Sequence, residues 1–384
     1  MQHAIESTPS ADAYNSVGAW FANHHRITCA ISAFEEALRL DANSWQTHYN
    51  LGLAMLEDKN QDRALSEFSA AAKENPASTA VGNALGGTLE AAGKLDEAET
   101  QFKRVLALDS HSVYAIDHLA QIYFAERRYA LSIEKWREAL GFSPGDPNLQ
   151  LELGVAYARN GDTNRAIATL VALTHTKPNF AAGHFNLATV YADNKRFREA
   201  TKEYAAALKL NPSNDAARLS LAKAYVTIAD SVDALPIIRA YVKRRPDDYE
   251  GHYILGDVYR RLGKYREAAL ELRRALELNS SDYQTLYALG SVLARQQQPR
   301  EALPYLQQAL KEKPDSAEAQ YRLANVLRSL NRTTEANALL QKFRKQKEEG
   351  VQQNIASAAG NAANLALIKG EPKAAAAKYR EALR

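Results

Sequence analysis

AAGHFNLATVYADNKRFREATKEYAAALKLNPSN, running from Ala181 to Asn214, decides the fold. It is 34 residues long and reads as two short amphipathic helices joined by a turn. Leu187, Ala188 and Tyr191 line one face of the first helix. Ala200, Tyr204 and Ala207 line one face of the second, and Pro212 follows it. The spacing of these residues is that of one helical face, not the alternation of a strand.

The same pattern repeats in both directions along the chain. Ten units of 34 residues run without insertion from Ala11 to Gly350, starting at Ala11, Trp45, Thr79, Val113, Pro147, Ala181, Asp215, Tyr249, Tyr283 and Ala317. The eighth position of every unit is Gly or Ala, from Gly18 to Ala324. The twentieth is Ala in nine units and Ser132 in the fourth. Small residues there let the two helices of a unit approach closely. Large residues take the complementary places: position 7 is Val17 and then Leu in every later unit, and position 11 runs from Phe21 through Tyr191 to Leu327.

The turns carry their own marks. Position 15 is Gly93, Gly161, Gly263 and Asn331 in four units, residue types that tolerate the left-handed conformation ending a helix. Position 32 is proline in six units, including Pro76, Pro178 and Pro314, where a helix must stop. Ser44, Ser78, Ser112, Asp146, Asn214, Asp248, Asp282 and Ser316 then stand where a cap is needed for the next first helix. Pro236 and Pro304 share position 22, inside the second helices of units seven and nine. A late helix start or a slight bend is expected there.

The register breaks after Gly350. Five extra residues, Val351 to Ile355, precede a degenerate unit from Ala356 to Arg384 that keeps Gly370, Ala375, Tyr379 and Ala382. It reads either as a capping unit or as a unit cut short. Met1 to Ser10 forms a short N-terminal extension.

This period and pattern resemble the tetratricopeptide repeat. The resemblance covers nearly the whole chain. It implies an all-α solenoid: a right-handed superhelix of stacked antiparallel helix pairs, with recognition of other proteins as its role. It also implies that the second face of each first helix, at positions 2, 5, 9, 12 and 13, lines a concave groove. In units eight to ten that stripe holds Tyr253, Tyr287 and Tyr321 at position 5, and Arg260, Arg261, Arg295 and Arg328 at positions 12 and 13. Asp257, Ser291 and Asn325 stand at position 9, with Lys223 one unit earlier. Tyrosine offers rigid apolar area with a polar tip, and arginine pairs with carboxylates. These residues form the candidate site for an extended peptide or a partner helix. The middle stripe is apolar instead: Leu53, Leu56, Phe124, Leu151, Val155, Phe185, Leu219 and Val226. It is either an exposed partner patch or is partly buried between units. The carboxylate clamp of chaperone-binding members needs lysine at position 5, which no unit has. The asparagine ladder of the nucleocytoplasmic glycosyltransferases is also missing.

Catalytic motifs are absent: no Gly-x-Ser-x-Gly, His-Glu-x-x-His, Cys-x-x-Cys or Gly-x-Gly-x-x-Gly occurs. Gly86, Gly87, Gly93 and Lys94 have the residue types of a phosphate loop, but the spacing is wrong and Leu95 stands where Ser or Thr must hold magnesium. His48, His184 and His252 all fall at position 4, far apart along the array, and His24 and His25 lie in a turn. Neither set forms a metal site, and no metal or cofactor is expected. The lone Cys29 permits no intrachain disulfide and reads as a small packing residue.

Net charge is +3, but it is divided unevenly. Residues 1–192 carry 15 Lys+Arg against 22 Asp+Glu, hence −7; residues 193–384 carry 33 against 23, hence +10. A partner with acidic character toward the C-terminal half follows. Basic residues interspersed with acids make no clean stripe and disfavour nucleic acid. No apolar run is long enough to span a membrane and no signal peptide is visible, which with the single cysteine favours a cytoplasmic compartment without fixing it. Self-association through open array ends has no supporting residue pattern. The reading is thus a non-enzymatic interaction scaffold. The alternative is the targeting arm of an enzyme whose catalytic domain lies outside this chain.

Overall fold

The computed structural model describes residues 10–369 and 372–382. Among them all regular structure is helical. Each of the ten units places its first helix at positions 1–13 and starts its second at position 17, from Ala11–Asn23 and Ile27–Leu40 onward. The two helices of a unit pack on each other, and inside each body a second helix packs on the first helix of the unit after it. The chain divides into two compact bodies, one ending at Leu210 and one beginning at Asn211. Units one to six form the first, and unit seven onward the second. The same helix pairing holds inside each body: first helices of neighbouring units touch in both.

Close approach within a unit has one geometric cause. The side chain at position 24 lies flat on the backbone at position 8. A Cβ built on Gly52 would come within 2.6 Å of the Phe68 ring, and one on Gly256 within 2.7 Å of Leu272. At either distance the position-24 side chain would have to move before a Cβ could fit, so glycine lets it lie this close. The position-20 residues, from Ala30 through Ser132 to Ala336, are all 0% exposed. With Leu51, Leu119 and Leu187 at position 7 also buried, they make a continuous core in each body.

The turn between the two helices is more uniform than its sequence. All ten position-15 residues have positive φ, from His25 at 56° to Gly161 at 83°. Three are glycine; the others include Lys195, Ala229 and Gln297. The left-handed geometry is imposed by the unit, because the N–H of the following residue must reach back to the carbonyl at position 11. Asp230 N to Tyr225 O, at 2.9 Å, is one such bond. Seven of the eight expected caps accept a backbone N–H, as Ser316 does from Ala319 at 3.2 Å. Ser112 stands at the cap but makes no such bond.

Adjacent units are also tied by a polar bridge at position 4. His48, His184 and His252 each place Nε2 3.0 Å from the carbonyl oxygen at position 32 of the unit before, on Ala42, Pro178 and Pro246. Each carries Nδ1 at 2.6–2.7 Å from a glutamate at position 23: Glu67, Glu203 and Glu271. Gln150 and Gln320 make the same reach to Pro144 and Pro314. A carbonyl after a helix end would otherwise lack a protein partner.

Two expectations need correction. Pro236 and Pro304 do not delay their helices, which start at Ser231 and Pro299 like every other second helix. Their missing N–H falls early enough in the helix that the first turn is complete without it. Cys29 is exposed; the neighbouring Ala30 fills the packing position instead. Through the register break after Gly350 the backbone stays helical. The second helix of unit ten continues from Thr333 to Ile368, and the shorter helix Pro372–Ala382 packs back on it. Ala363 and Ala375, at positions 8 and 20 of the degenerate unit, are buried as their counterparts are. Gly370 lies outside the described residues.

Two substitutions should raise stability in denaturant unfolding. Ala229→Gly removes the cost of a left-handed L-residue, about 1 kcal/mol, and Gly263→Ala should lose about as much, since a Cβ there meets nothing within 4 Å. Ser132 is fully buried with an unbonded Oγ where nine other units carry alanine. Ser132→Ala should therefore gain about 1 kcal/mol.

Candidate functional site

In the second body the first helices Tyr249–Arg261, Tyr283–Arg295 and Ala317–Ser329 lie side by side and share one face. Position 5 contributes Tyr253 and Tyr287, both half-buried, and Tyr321, which is 54% exposed. The first two line a cavity of about 380 Å³ together with Asp257, Arg260, Ser291 and Arg295. Tyr321 stands apart from it. The Tyr287 ring stacks on Tyr283, 6.2 Å away and 13° from parallel. Tyr283 is held by a 2.5 Å hydrogen bond between its hydroxyl and Ser316.

The arginines of this face are not equivalent. Asp257 is 7% exposed, and both of its oxygens are taken. Arg260 donates through Nε and Nη2 to Oδ1 at 2.8 and 2.5 Å, and Arg261 through Nε to Oδ2 at 2.7 Å. One carboxylate thus fixes two guanidinium groups and leaves the trio with a net charge of +1. Lys223 is likewise paired, 2.7 Å from Glu250. Arg295 has no ion-pair partner among the described residues and is exposed. Arg328 is exposed and lines neither this cavity nor its neighbour.

A residue outside the expected stripe joins the site. Arg322, at position 6 of unit ten, lines the cavity beside Arg295. Both also line a second cavity of about 340 Å³ that contains Asn325 and Ser329. The Arg322 Nε is buried and bonded to nothing, as is the Oγ of Ser291. Position 6 varies widely between units, from Asn50 and Ala84 to His118 and Ile254, so the sequence offers no signal that would single out Arg322.

Burial, reinforced by the Asp257 carboxylate, pushes the Tyr253 hydroxyl up to about 12. The Tyr241 hydroxyl is pushed to about 12 as well, by burial and by the hydrogen bond it donates to Asp248 at 2.6 Å. Both groups therefore stay neutral donors far above neutral pH.

The middle stripe divides. Leu53 and Leu56 are 42% and 40% exposed and line a cavity of about 830 Å³ with Tyr49, Asn83, Gly87 and Tyr114. Phe124, Leu151, Val155 and Phe185 are half-buried, as are Leu219 and Val226 in the second body. Phe124 packs on Tyr129 and Trp136, and Phe185 on Tyr204. Among the described residues no helix is long and apolar enough to cross a membrane, and no cluster of three or more His, Cys, Asp or Glu could hold a metal ion. His24 bonds and stacks on Trp20, while His25 is exposed.

The family profile described as tetratricopeptide repeat matches residues 21–79, 83–147, 151–215, 187–227, 219–283 and 287–351. No curated protein matches the sequence significantly. Among solved structures, the chain is similar to YrrB, a protein of this type with an unusual peptide-binding site: 20% identity, TM-score 0.46, 49% of this chain and 96% of that one. A tetratricopeptide repeat protein from Parabacteroides merdae shares 14% identity at TM-score 0.48, over 65% of this chain and 99% of the other. A chain of the APC/C hetero-tetramer Cut9-Hcn1 shares 13% identity at TM-score 0.42, over 99% of this chain and 94% of the other.

The raised tyrosine values have a measurable consequence. A hydroxyl held above its ordinary value of 10.0 in the folded state favours folding below pH 10, and that contribution is lost as pH rises toward 12. Ultraviolet titration of the 19 tyrosines should show a late group of phenolates that includes Tyr253 and Tyr241 near pH 12, and Tyr253→Phe should reduce it by one. Asp257→Asn should make the Tyr253 phenolate form earlier.

Proposed function

The chain belongs to the tetratricopeptide repeat family, and on that premise we propose that its first-helix face in units eight to ten holds an extended acidic segment of a partner protein. Repeat arrays of this family act as scaffolds for protein–protein interaction, which is the general role of this chain. The observation that carries the finer reading is the pair Arg295 and Arg322. Both line a cavity walled by tyrosines, and neither has an acidic partner among the described residues. An unpaired guanidinium beside rigid aromatic surface binds carboxylates well, because it can offer parallel N–H donors while the ring supplies apolar area. Arg260 and Arg261 add to the field from fixed positions on Asp257. The excess of 10 positive charges in residues 193–384 gives the same sign of attraction at longer range.

The reading is tested by fluorescence anisotropy with a labelled dodecapeptide of alternating Glu and Ser. Affinity should fall steeply between low and physiological salt, and Arg260→Glu with Arg295→Glu should weaken it at least about tenfold. Unchanged binding by the double variant contradicts the assignment of this face.

A further inference from the structure

We propose that the cavity lined by Tyr253, Ser291, Arg295 and Arg322 is a pocket for a single carboxylate, entered by one Asp or Glu side chain of the partner segment. This rests on the reading of the face as an acidic-segment site and narrows it to one anchoring residue. Three observations support it.

The first is unspent hydrogen-bonding capacity. Ser291 is 7% exposed and its Oγ is bonded to nothing. Exposed helical serines elsewhere in the chain return their hydroxyl to a carbonyl four residues back, as Ser32 does to Thr28 and Ser69 to Leu65. Ser291 does not, and it lies in the cavity wall. The Arg322 Nε is buried and unbonded in the same wall. A buried polar group without a partner is costly, so the wall gains from any acceptor that enters. The Tyr253 hydroxyl makes no hydrogen bond among the described residues and remains a neutral donor.

The second is charge balance. Arg260, Arg295 and Arg322 line the cavity with Asp257 and Glu318, giving three positive charges against two negative. With Arg261 on the other oxygen of Asp257, the surplus around the cavity is positive and draws an anion. A phosphate monoester carries about two negative charges at neutral pH, and the two acidic walls oppose the second.

The third is shape. Tyr283 and Tyr287 stack nearly parallel beside the charged groups. Lys313 lies over Tyr283, and the aromatic surface of Tyr287 suits the methylene stem of a carboxylate side chain, with the donors at its tip. The arrangement differs from the lysine-at-position-5 clamp that this sequence lacks.

The experiment is selection of a random heptapeptide library, displayed on phage, on the full chain. The selected peptide is then resynthesised with its acidic residue as Glu, Gln or phosphoserine. Each form is titrated against the parent chain, Ser291→Ala, Arg322→Gln and Arg295→Glu. Thermal unfolding shows that each variant is folded, and Ser291→Ala keeps a small residue at position 9, so at least one variant retains the packing. The proposal expects a fixed Asp or Glu, a loss of about tenfold on Glu→Gln with the parent chain, and a loss under about threefold with Arg322→Gln. Ser291→Ala should show an intermediate preference. Equal loss on Glu→Gln in the parent chain, Ser291→Ala and Arg322→Gln overturns the pocket while leaving the acidic-segment reading intact. Tighter binding of phosphoserine than Glu overturns the carboxylate assignment. Selection of peptides whose binding is unaffected by Arg295→Glu overturns both readings.

Discussion

The structure depends on the contact between position 8 of each first helix and position 24 of the second. Where the position-24 side chain lies closest, glycine beneath it spares a shift that any Cβ would force, as at Gly18 under Phe34 and Gly290 under Leu306. That contact sets the distance between the helices of a unit. The spacing in turn buries the position-20 residues completely and leaves position 15 with no option but the left-handed turn. Since each unit solves this problem in the same way, units stack by one rule, and the faces left over run in register along each body. The candidate site is a product of that register: three first helices present tyrosine, small and basic positions side by side.

The residues that could do something chemically distinctive are those the repeat does not require. The position-5 tyrosines and position-12 and position-13 arginines vary from unit to unit, and the core survives those changes. Specificity can therefore be written on the first-helix face while the fold is held elsewhere. The cost appears locally, in buried groups such as Ser291 and Arg322 that have no partner within the protein.

Much of the fold was legible in the sequence, because a 34-residue period with invariantly small positions 8 and 20 admits few arrangements. The left-handed turn was marked by Gly93, Gly161, Gly263 and Asn331, yet the backbone imposes it on Lys59, Ala229 and Gln297 too, where composition gives no sign. The histidine bridges were readable in retrospect. Among the ten units, histidine stands at position 4 only in the three that also carry glutamate at position 23. The site was less legible. The stripe of Tyr253, Tyr287, Arg260 and Arg295 follows from helical spacing, but the division of labour does not. That Asp257 engages Arg260 and Arg261 is an i to i+3 and i+4 pairing visible in the sequence. That Arg322 joins from position 6 depends on how unit ten leans on unit nine, which spacing within a unit cannot reveal. The continuous helix through Val351–Ile355 was masked by the same limit: a register break marks a change of phase, not the presence of a turn.

Amide hydrogen exchange of the full chain, with and without a saturating peptide of alternating Glu and Ser, tests the central claim most directly. Added protection confined to Tyr249–Arg261, Tyr283–Arg295 and Ala317–Ser329 is the result this account predicts. Protection confined to the second helices, or centred on Leu53, Leu56 and Tyr114 in the first body, would contradict it.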